Sequence, residues 1–466
     1  NMETLQRTAN RGSISTGPYQ IDNSVKLEVD NNEWLYRNSP TAGNRKTFTI
    51  SLWLKRAVLG HTPAGGDEYL AGQGSNARYH FAGDTLRFQF ESGSTELESS
   101  RVYRDPSAWY HIVLAVDTSQ GTAANRVKLY VNGEQQSWNN TKYPSLNQES
   151  DWMNTNDLYI GTKWASNSSG EGDNDLSGYL AEVVLLDGTA ASPTSFGEVD
   201  DDSGIWIPIN VSGLTFGSQG FYLNFSNASS SGEDFSGNDN DLLDSNLSAA
   251  DHSTDTPTNN FCTWNSSWQY LYEPIISEGG TKAGYHNSTD ENAKATIGLT
   301  NGKWYWEAKP VGTIGSQFIG IQTDGDSNLN SAQGILLNYT MVIEPQGRYY
   351  SYAGSLSESS AGQFTALTTS DWLGIALDMD SSTQTIKYYK NGSLILTRDL
   401  ISEMQGRTVF PFLQNYESRS FYINFGGYTI NTISSAESDA NGYGTFEYAP
   451  PTGHYSICTK NLAEYG

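Results

Sequence analysis

Acidic and amide side chains are concentrated in short polar turns of this 466-residue chain. The turn from Asp234 to Asp241 reads Asp-Phe-Ser-Gly-Asn-Asp-Asn-Asp and brings many oxygen donors together. Ca²⁺ is a hard cation that prefers carboxylate and amide oxygens. We therefore expect a calcium site with the ligands Asp234, Asn238, Asp239 and Asp241, and the alternative is a solvated acidic turn.

A second acidic turn, Asp324-Gly-Asp326-Ser-Asn328, has the spacing with which a calcium loop opens. Leu329 replaces the glycine that an EF-hand needs at its sixth position, and Ile335 replaces the glutamate at its twelfth. The turn is therefore not an EF-hand. Asp324 and Asp326 remain candidate ligands for calcium.

Aromatic residues beside amides and carboxylates form a second group of candidates. Small-molecule sites combine aromatic side chains with a few polar groups, and a carbohydrate site needs such aromatics to be exposed. The alternative for each residue is simple packing of its loop. The candidates for binding carbohydrate or a partner are Trp138, Trp152, Trp164, Tyr349, Tyr350 and Tyr416.

A catalytic set is not apparent in the sequence. A glycosidase needs two carboxylates across its cleft, but the closest pattern, Glu198-Val-Asp200, has Ser203 where a third acid would stand. Glu182 is on a predicted strand without an acidic partner at strand spacing. The six histidines show no metal-ligand spacing, and His111 fits a core strand. We expect a protein that is not an enzyme.

The strands that would carry these residues are clearest between Trp109 and Gly133. A near-continuous apolar run from Trp109 to Asp117 predicts a strand buried on both faces. Val127 to Val131 alternates apolar and polar residues, and Asn132-Gly133 favours a tight hairpin turn.

The same pattern returns later in the chain. Trp372 to Asp380 repeats the Trp-x-x-Ile-x-Leu-x-x-Asp spacing of Trp109 to Asp117, and a second strand then ends at Asn391-Gly392. Two occurrences in the same order predict two related domains.

Composition supports an all-β chain. Aromatic residues make up 12 % and glycine contributes 46 residues, a mixture that favours strands and turns. Two β-sandwiches of about 200 residues each fit this length. The expected parts are an N-terminal arm (1–19), a first sandwich (20–225), a polar connector (226–260), a second sandwich (261–427) and a C-terminal extension (428–466).

The formal net charge of −25 opposes binding to nucleic acid and to anionic membranes. No apolar run approaches the roughly 20 residues of a membrane span, so we expect no membrane insertion. The start of the chain lacks the apolar core of a signal peptide. Cys262 and Cys458 could form a disulfide across neighbouring strands, although two free thiols are the favoured interpretation.

The first half resembles laminin-G/concanavalin-A-like domains in the segments FTISLWLKR, WYHIVLAVD, VKLYVNGE, LYIG and LSGYLAEVVLLDG. Its NRKTFTISLWLKRAVLG form resembles the one common in bacteriophage virion proteins. The connector segments GFYLNFSN, DFSGNDND and DTPTNNF are similar to those of phage fibre and tail proteins.

The second half resembles SPRY domains in the order of KWYWEA, FIGI, WLGIALDMD, IKYYKNG, VFPFL and FYINF. Both resemblances imply two tandem antiparallel β-sandwiches of the concanavalin-A-like jelly-roll type. In SPRY domains, loops at one edge bind protein partners. The matching positions are mainly core residues and do not identify a ligand.

These observations together predict a phage structural protein exposed on the virion and homo-oligomeric in the particle. Its sandwiches would bind host-surface carbohydrate or a neighbouring virion protein. One alternative is a glycan-degrading depolymerase or glycosidase on the same scaffold. The other is a decoration or assembly protein that recognises no host molecule.

Overall fold

The chain folds into two compact units, one ending at Thr258 and the other beginning at Asn259. The structure is a computed structural model that describes residues 19–59, 67–91, 95–163, 175–267, 275–284, 291–323, 339–416 and 418–466. We call these the first unit and the second unit. Both consist mainly of antiparallel sheets, which confirms the predicted fold class.

The strands of the first unit are connected by tight turns and by several longer loops. In its described residues they are β1 (Ser24–Leu27), β2 (Trp34–Arg37), β3 (Thr47–Lys55), β4 (Asp67–Gln73), β5 (Ala77–Ala82), β6 (Thr85–Glu91), β7 (Thr95–Val102), β8 (Trp109–Asp117), β9 (Val127–Val131), β10 (Glu134–Gln136), β11 (Leu158–Ile160), β12 (Gly178–Asp187), β13 (Gly197–Val199), β14 (Trp206–Pro208), β15 (Phe221–Leu223), β16 (Leu243–Ser245) and β17 (His252–Ser253).

Two sheets of the first unit face each other across its core. One has the order β10-β9-β8-β3-β12-β1-β17, with β15 also paired to β12, and the other has the order β16-β2-β11-β4-β5-β6-β7. Alternate residues of β3, such as Ile50 and Leu52, enter the shared core. A smaller cluster, which includes Val113 and Phe196, covers the other face of the eight-stranded sheet. Strand β8 is therefore buried on both faces, as its sequence predicts.

The segment that we expect to be a polar connector adds strands to the first unit. Strand β16 pairs with β2, and β17 pairs with β1. Beyond them, the Asp255 carboxylate lies 2.6 Å from the Lys55 ammonium in a fully buried ion pair. The polar composition of this segment did not predict these strands, because a short edge strand needs few apolar residues when its charged side chains are paired.

The second unit has the same type of architecture. In its described residues the strands are β18 (Ile275–Ser277), β19 (Lys282–Gly284), β20 (Glu291–Lys294), β21 (Lys303–Val311), β22 (Phe318–Thr323), β23 (Thr340–Glu344), β24 (Arg348–Tyr352), β25 (Leu356–Glu358), β26 (Leu373–Asp378), β27 (Thr385–Lys390), β28 (Ser393–Asp399), β29 (Val409–Asn415), β30 (Ser420–Asn424) and β31 (Tyr455–Ser456).

An eight-stranded sheet and a six-stranded sheet make up this unit. Their orders are β18-β19-β30-β21-β26-β27-β28, with β31 parallel to β21, and β20-β29-β22-β23-β24-β25. The C-terminal extension belongs to the unit, because the buried Glu307 carboxylate accepts hydrogen bonds from the main chain at Glu447 and Tyr448. Helix α1 (Thr459–Tyr465) follows β31. Within the described residues, no helix is long and apolar enough to cross a membrane.

The repeated hairpin is present in both units. Asn132 and Asn391 both have left-handed backbone angles, with φ of 49° and 48°. The Asn132 amide donates to the His111 carbonyl, and its side chain accepts from the His111 amide. Asn391 makes the same two bonds with Trp372. His111 is therefore the residue equivalent to Trp372. The sequence pattern instead aligned Trp372 with Trp109, which lies two positions before His111.

Both cysteines are buried. Cys458 pairs with Phe261 in an antiparallel bridge. Because side chains alternate along a strand, Cys262 points to the opposite side from Phe261 and Cys458. Adjacent strands therefore do not bring the two thiols together.

Candidate functional site

The acidic turn at Asp234 is closed by the protein's own donors. The Asp234 carboxylate accepts from the amides of Tyr222, Ser236 and Asn240 and from the Ser236 hydroxyl. A carboxylate offers about four acceptor positions. The hydrogen bonds of this side chain therefore already hold the turn against β15 without a cation.

The other predicted ligands of this turn do not converge with Asp234. The Asn238 amide group donates to the carbonyls of Gly217 and Gly220, and Asp241 accepts from the Asp234 amide. Asp239 is exposed. Asp324 and Asp326 lie outside the described residues. Across the described ranges, no group of three His, Cys, Asp or Glu side chains is arranged to hold a metal.

The tryptophans expected on binding loops pack into the first unit. Trp152 is 1 % exposed, stacks on Phe88 and donates to the Gln89 carbonyl. Trp138 is half-buried against the core and donates to the Val127 carbonyl. The expectation that Trp152 is exposed is therefore wrong, because its ring is part of the core of the first unit. Trp164 lies outside the described residues.

The tyrosines of the second unit have three different environments. The Arg398 guanidinium lies 3.9 Å from the centre of the Tyr349 ring. Tyr350 is buried on β24 rather than on a loop, and its hydroxyl donates to Glu344. Tyr416 is half-buried beside Arg419. Within the second unit these three rings make separate contacts.

Two acidic residues considered for catalysis have structural roles. Glu182 lies in a β-bulge with φ of 45° and accepts hydrogen bonds from the hydroxyls of Tyr19 and Tyr222. Burial raises the pKa of Glu182 to about 7. Asp200 closes a turn by accepting from Ser203, and Glu198 is exposed on the β13–β14 hairpin.

His111 is a buried neutral histidine. Burial lowers its pKa to about 3. Its Nδ1 accepts from Trp206, so its Nε2 carries the proton and donates to the Ser51 hydroxyl. Trp53 and Trp206 stack on the ring. The expectation that His111 has a structural role agrees with this placement.

The outward side of the seven-stranded sheet brings polar and aromatic side chains together. One row crosses six strands, because each residue lies directly opposite the next. The row is Tyr36, Tyr159, Gly72, Arg78, Gln89 and Glu96. The rings of Tyr36 and Tyr159 are stacked with centres 6.4 Å apart.

A second row runs beside the first on the same side. It consists of Tyr69, His80, Arg87 and Glu98. The Arg87 guanidinium lies 3.3 Å from Glu98 and 3.5 Å from Glu96, so the two rows are joined. Tyr69 stacks on His80. Burial lowers the pKa of His80 to about 4, which keeps its ring neutral at pH 7. We call the two rows together the outer face.

The outer face is crossed at one point by the chain after β11. A side chain at Gly72 would place its Cβ 2.2 Å from the Lys163 carbonyl oxygen, so only glycine fits there. The Lys163 ammonium lies 5.3 Å from the centre of the Tyr69 ring. This crossing separates the stacked tyrosines from the arginines.

The outer face combines the groups that sugars require. Aromatic faces pack against apolar sugar surfaces, while guanidinium, amide and carboxylate groups bind hydroxyls. These residues were not predicted, because the candidate aromatic residues were sought in predicted loops. Their signal is the alternation in β5 and β6, where Arg78, His80, Arg87 and Gln89 alternate with core residues.

The family comparison covers this region of the first unit. Residues 30–194 match the model of the Concanavalin A-like lectin/glucanases superfamily. This span is about a third of the chain and contains both rows of the outer face. The comparison with curated proteins found no match.

Several solved structures resemble parts of the chain. A Bacteroides ovatus protein described as a candidate carbohydrate binding protein is 14 % identical, with a TM-score of 0.33, over 49 % of this chain and 58 % of that chain. The chain thus spans less than two thirds of that protein. Mouse laminin alpha1 domains LG4-5 are 10 % identical, with a TM-score of 0.29, over 86 % of this chain and 84 % of that chain.

A SPRY domain is also among the matching structures. The SPRY domain of human HERC1 is 14 % identical, with a TM-score of 0.26, over 34 % of this chain and 94 % of that chain. All three TM-scores are below 0.5. The assignment of a lectin-like fold therefore rests on the sheets themselves and on the family match of residues 30–194.

Proposed function

We propose that the chain is a non-enzymatic glycan-binding protein and that the outer face of the first unit holds the saccharide. The observation that carries this proposal is the row from Tyr36 to Glu96 across six strands, which the main chain at Lys163 crosses at Gly72. The row lies within the span that matches the lectin-like superfamily. The opposite side of the same strands forms the core of the first unit.

Each group on the outer face has a role in the proposed complex. The stacked rings of Tyr36 and Tyr159 pack against the C–H face of one sugar ring. Arg78 and Gln89 lie on the other side of the Lys163 crossing and bind hydroxyls of a separate sugar residue of the same glycan. Arg87 is already paired with two carboxylates and holds Glu96 and Glu98 in place as acceptors.

A glycan array followed by calorimetric titration tests the proposal. The wild-type chain should bind a defined glycan class, and Tyr159→Ala and Arg78→Ala should each weaken that binding about tenfold or more. Tyr422→Ala in the second unit and Arg104→Ala, which removes an arginine exposed by 68 %, are matched controls that should leave binding unchanged. Wild-type binding that survives both face variants would contradict the proposal.

The virion setting is part of the proposal and rests on the resemblance of the sequence to phage proteins. The chain would be exposed on a phage particle as a fibre, tail or capsid-decoration component, next to other virion proteins and in several copies. Many copies would convert weak saccharide sites into useful avidity. Mass spectrometry of purified particles and averaged particle images test this setting, and absence of the chain from particles would contradict it.

We also propose calcium as a ligand, and the turn with Asp324 and Asp326 is the site that we would test first. Its support is the sequence spacing of oxygen donors. Titration with CaCl₂ should release or absorb heat with the wild-type chain and not with the double variant Asp324→Ala/Asp326→Ala. Equal heats from both proteins would remove calcium from the account.

The competing function is a glycosidase on the same scaffold, since the matched superfamily is named for lectins and glucanases. Such an enzyme places two carboxylates about 5–10 Å apart. On the outer face the candidate pair is Glu96 and Glu98, but both are paired with Arg87. Incubation with the bound glycan should therefore release no reducing ends, and release that stops in Glu98→Gln would favour the enzyme.

A further inference from the structure

A second row of polar and aromatic residues crosses the six-stranded sheet of the second unit. Asn292 on β20 lies opposite Gln414 on β29, and Gln414 lies opposite Phe318 on β22. Tyr350 on β24 contacts Phe318 edge to face, with ring centres 5.2 Å apart. The row therefore places two amides beside two aromatic rings.

These side chains point away from the eight-stranded sheet of the unit. Asn415 donates to the Ala283 carbonyl of β19, and the ring of Tyr349 contacts Arg398 of β28. Both of these residues thus face the eight-stranded sheet. Because neighbouring side chains on a strand alternate, Gln414 and Tyr350 face outward.

Both amides are buried, and three of their four polar groups lack a hydrogen-bond partner. Asn292 is 1 % exposed and Gln414 is 2 % exposed. Neither the Oδ1 nor the Nδ2 atom of Asn292 has a partner in the structure, and the Oε1 of Gln414 has none. A buried amide without a partner is costly, and native proteins keep few of them. A group that both donates and accepts, such as a hydroxyl, satisfies Asn292.

The other end of this surface carries charged residues and reaches solvent. The Tyr350 hydroxyl donates to Glu344 and to Glu358. The side chains of Arg348 and Glu358, which form an ion pair, are 39 % and 44 % exposed. Exposure thus rises from Asn292 towards β25.

We propose that Asn292, Gln414, Phe318 and Tyr350 form a second saccharide site, for an uncharged sugar residue, in the second unit. The two amides bind neighbouring hydroxyls, and the Phe318 ring packs against the sugar's C–H face. Glu344 and Glu358 disfavour anionic sugars by charge repulsion. The site is separate from the outer face of the first unit and does not depend on it.

Saturation-transfer NMR with the full chain tests this site with D-glucose, D-galactose and N-acetylglucosamine as probes. The background is Tyr159→Ala/Arg78→Ala, which disables the outer face of the first unit, so failure of one site is distinguishable from failure of the other. At least one probe should give saturable transfer in this background. Asn292→Leu and Gln414→Leu should each weaken it about tenfold. Gln363→Leu, which changes an exposed amide, should leave it unchanged.

Thermal unfolding of the same proteins keeps the test decisive if a variant folds poorly. In the background protein, a bound probe raises the unfolding midpoint with increasing probe concentration. The proposal is overturned if no probe gives saturable transfer or a midpoint shift. It is also overturned if the leucine variants are as stable as the background protein and bind no less, because the amides then hold an ordered water only.

Discussion

Single residues explain why several expectations drawn from the sequence were incomplete. Trp152 stands in a polar stretch, yet its ring is part of the core because the loop folds under the sheet. Asp234 stands in a turn rich in oxygen donors, yet its carboxylate serves backbone amides. Residue type and spacing identify polar groups, but the long-range partner decides their use.

Glu182 predicts a pH dependence of stability. Burial raises its pKa in the folded protein to about 7, above the ordinary value near 4.5. The folded state therefore prefers the protonated form, and this contribution is fully present below pH 4.5 and lost as the pH rises through 7. We compare the change in unfolding free energy that Glu182→Gln causes at pH 8 with the change that it causes at pH 4. The change at pH 8 should be more favourable by up to about 3 kcal/mol.

Urea unfolding at pH 4, 6 and 8 measures this difference. Glu198→Gln, which changes an exposed glutamate, is the matched control and should shift stability equally at each pH. An unchanged pH profile of stability in Glu182→Gln would contradict the raised pKa of Glu182 in the folded protein.

The buried ion pair of Lys55 and Asp255 predicts a large cost for removing one partner. Lys55→Met leaves the Asp255 carboxylate buried without its cation, so unfolding free energy should fall by about 3–5 kcal/mol. The double variant Lys55→Met/Asp255→Leu should recover most of the loss. Arg104→Met, at the exposed pair with Asp84, should cost less than about 1 kcal/mol. Equal effects of the two single variants would contradict this interpretation.

At the scale of elements, the sequence predicted strands better than their registers. The apolar run of β8 and the Asn-Gly turns identified both repeated hairpins. The sequence pairing of Trp109 with Trp372 is two residues away from the structural one, which the hydrogen bonds of Asn132 and Asn391 define. A shift of two keeps the same side chains facing the core, so periodicity alone does not detect it.

The outer face was missed for a related reason. Alternation predicts which side chains of β5 or β6 point outward, but only register places Tyr159 opposite Gly72 and Arg78 beside Gln89. The pairs of β11 with β2 and with β4 join strands that are far apart in sequence. The candidate site could therefore not be assembled before the sheet was known.

The hairpin turn after β9 allows a test at this scale. Gly133 has φ of 81°, and a Cβ there would lie 2.4 Å from the Trp206 ring. Gly133→Ala should therefore lower unfolding free energy by more than the about 1 kcal/mol expected for a left-handed alanine alone. Gly83→Ala is the matched control, because Gly83 also has positive φ but has nothing within 4 Å of its Cβ position. Equal losses would show that the Trp206 contact is unimportant.

At the scale of the whole molecule, the predicted pair of antiparallel sandwiches is confirmed. What the sequence did not predict is that residues 226–258 complete the first unit. Low hydrophobicity and turn residues suggest a connector, but paired charges and edge strands give the same composition. Composition indicates how much apolar surface a segment can bury, but it does not indicate which strands its backbone pairs with.

Truncation tests this assignment of the connector. A fragment that ends at Thr258 should fold with a cooperative unfolding transition, because it contains β16, β17 and Asp255. A fragment that ends at Phe225 should lose cooperativity, because Lys55 then has no Asp255 and β1 loses β17. Circular dichroism during heating measures both, and a Phe225 fragment as stable as the Thr258 fragment would contradict the assignment.

A crystal structure of the full chain with the strongest ligand from the glycan array tests the central claim most directly. We expect saccharide density on the outer face, with one sugar ring against Tyr36 and Tyr159 and a sugar hydroxyl within hydrogen-bond distance of Arg78. Density confined to loop tips, or to a cleft between two carboxylates of the first unit, would contradict it.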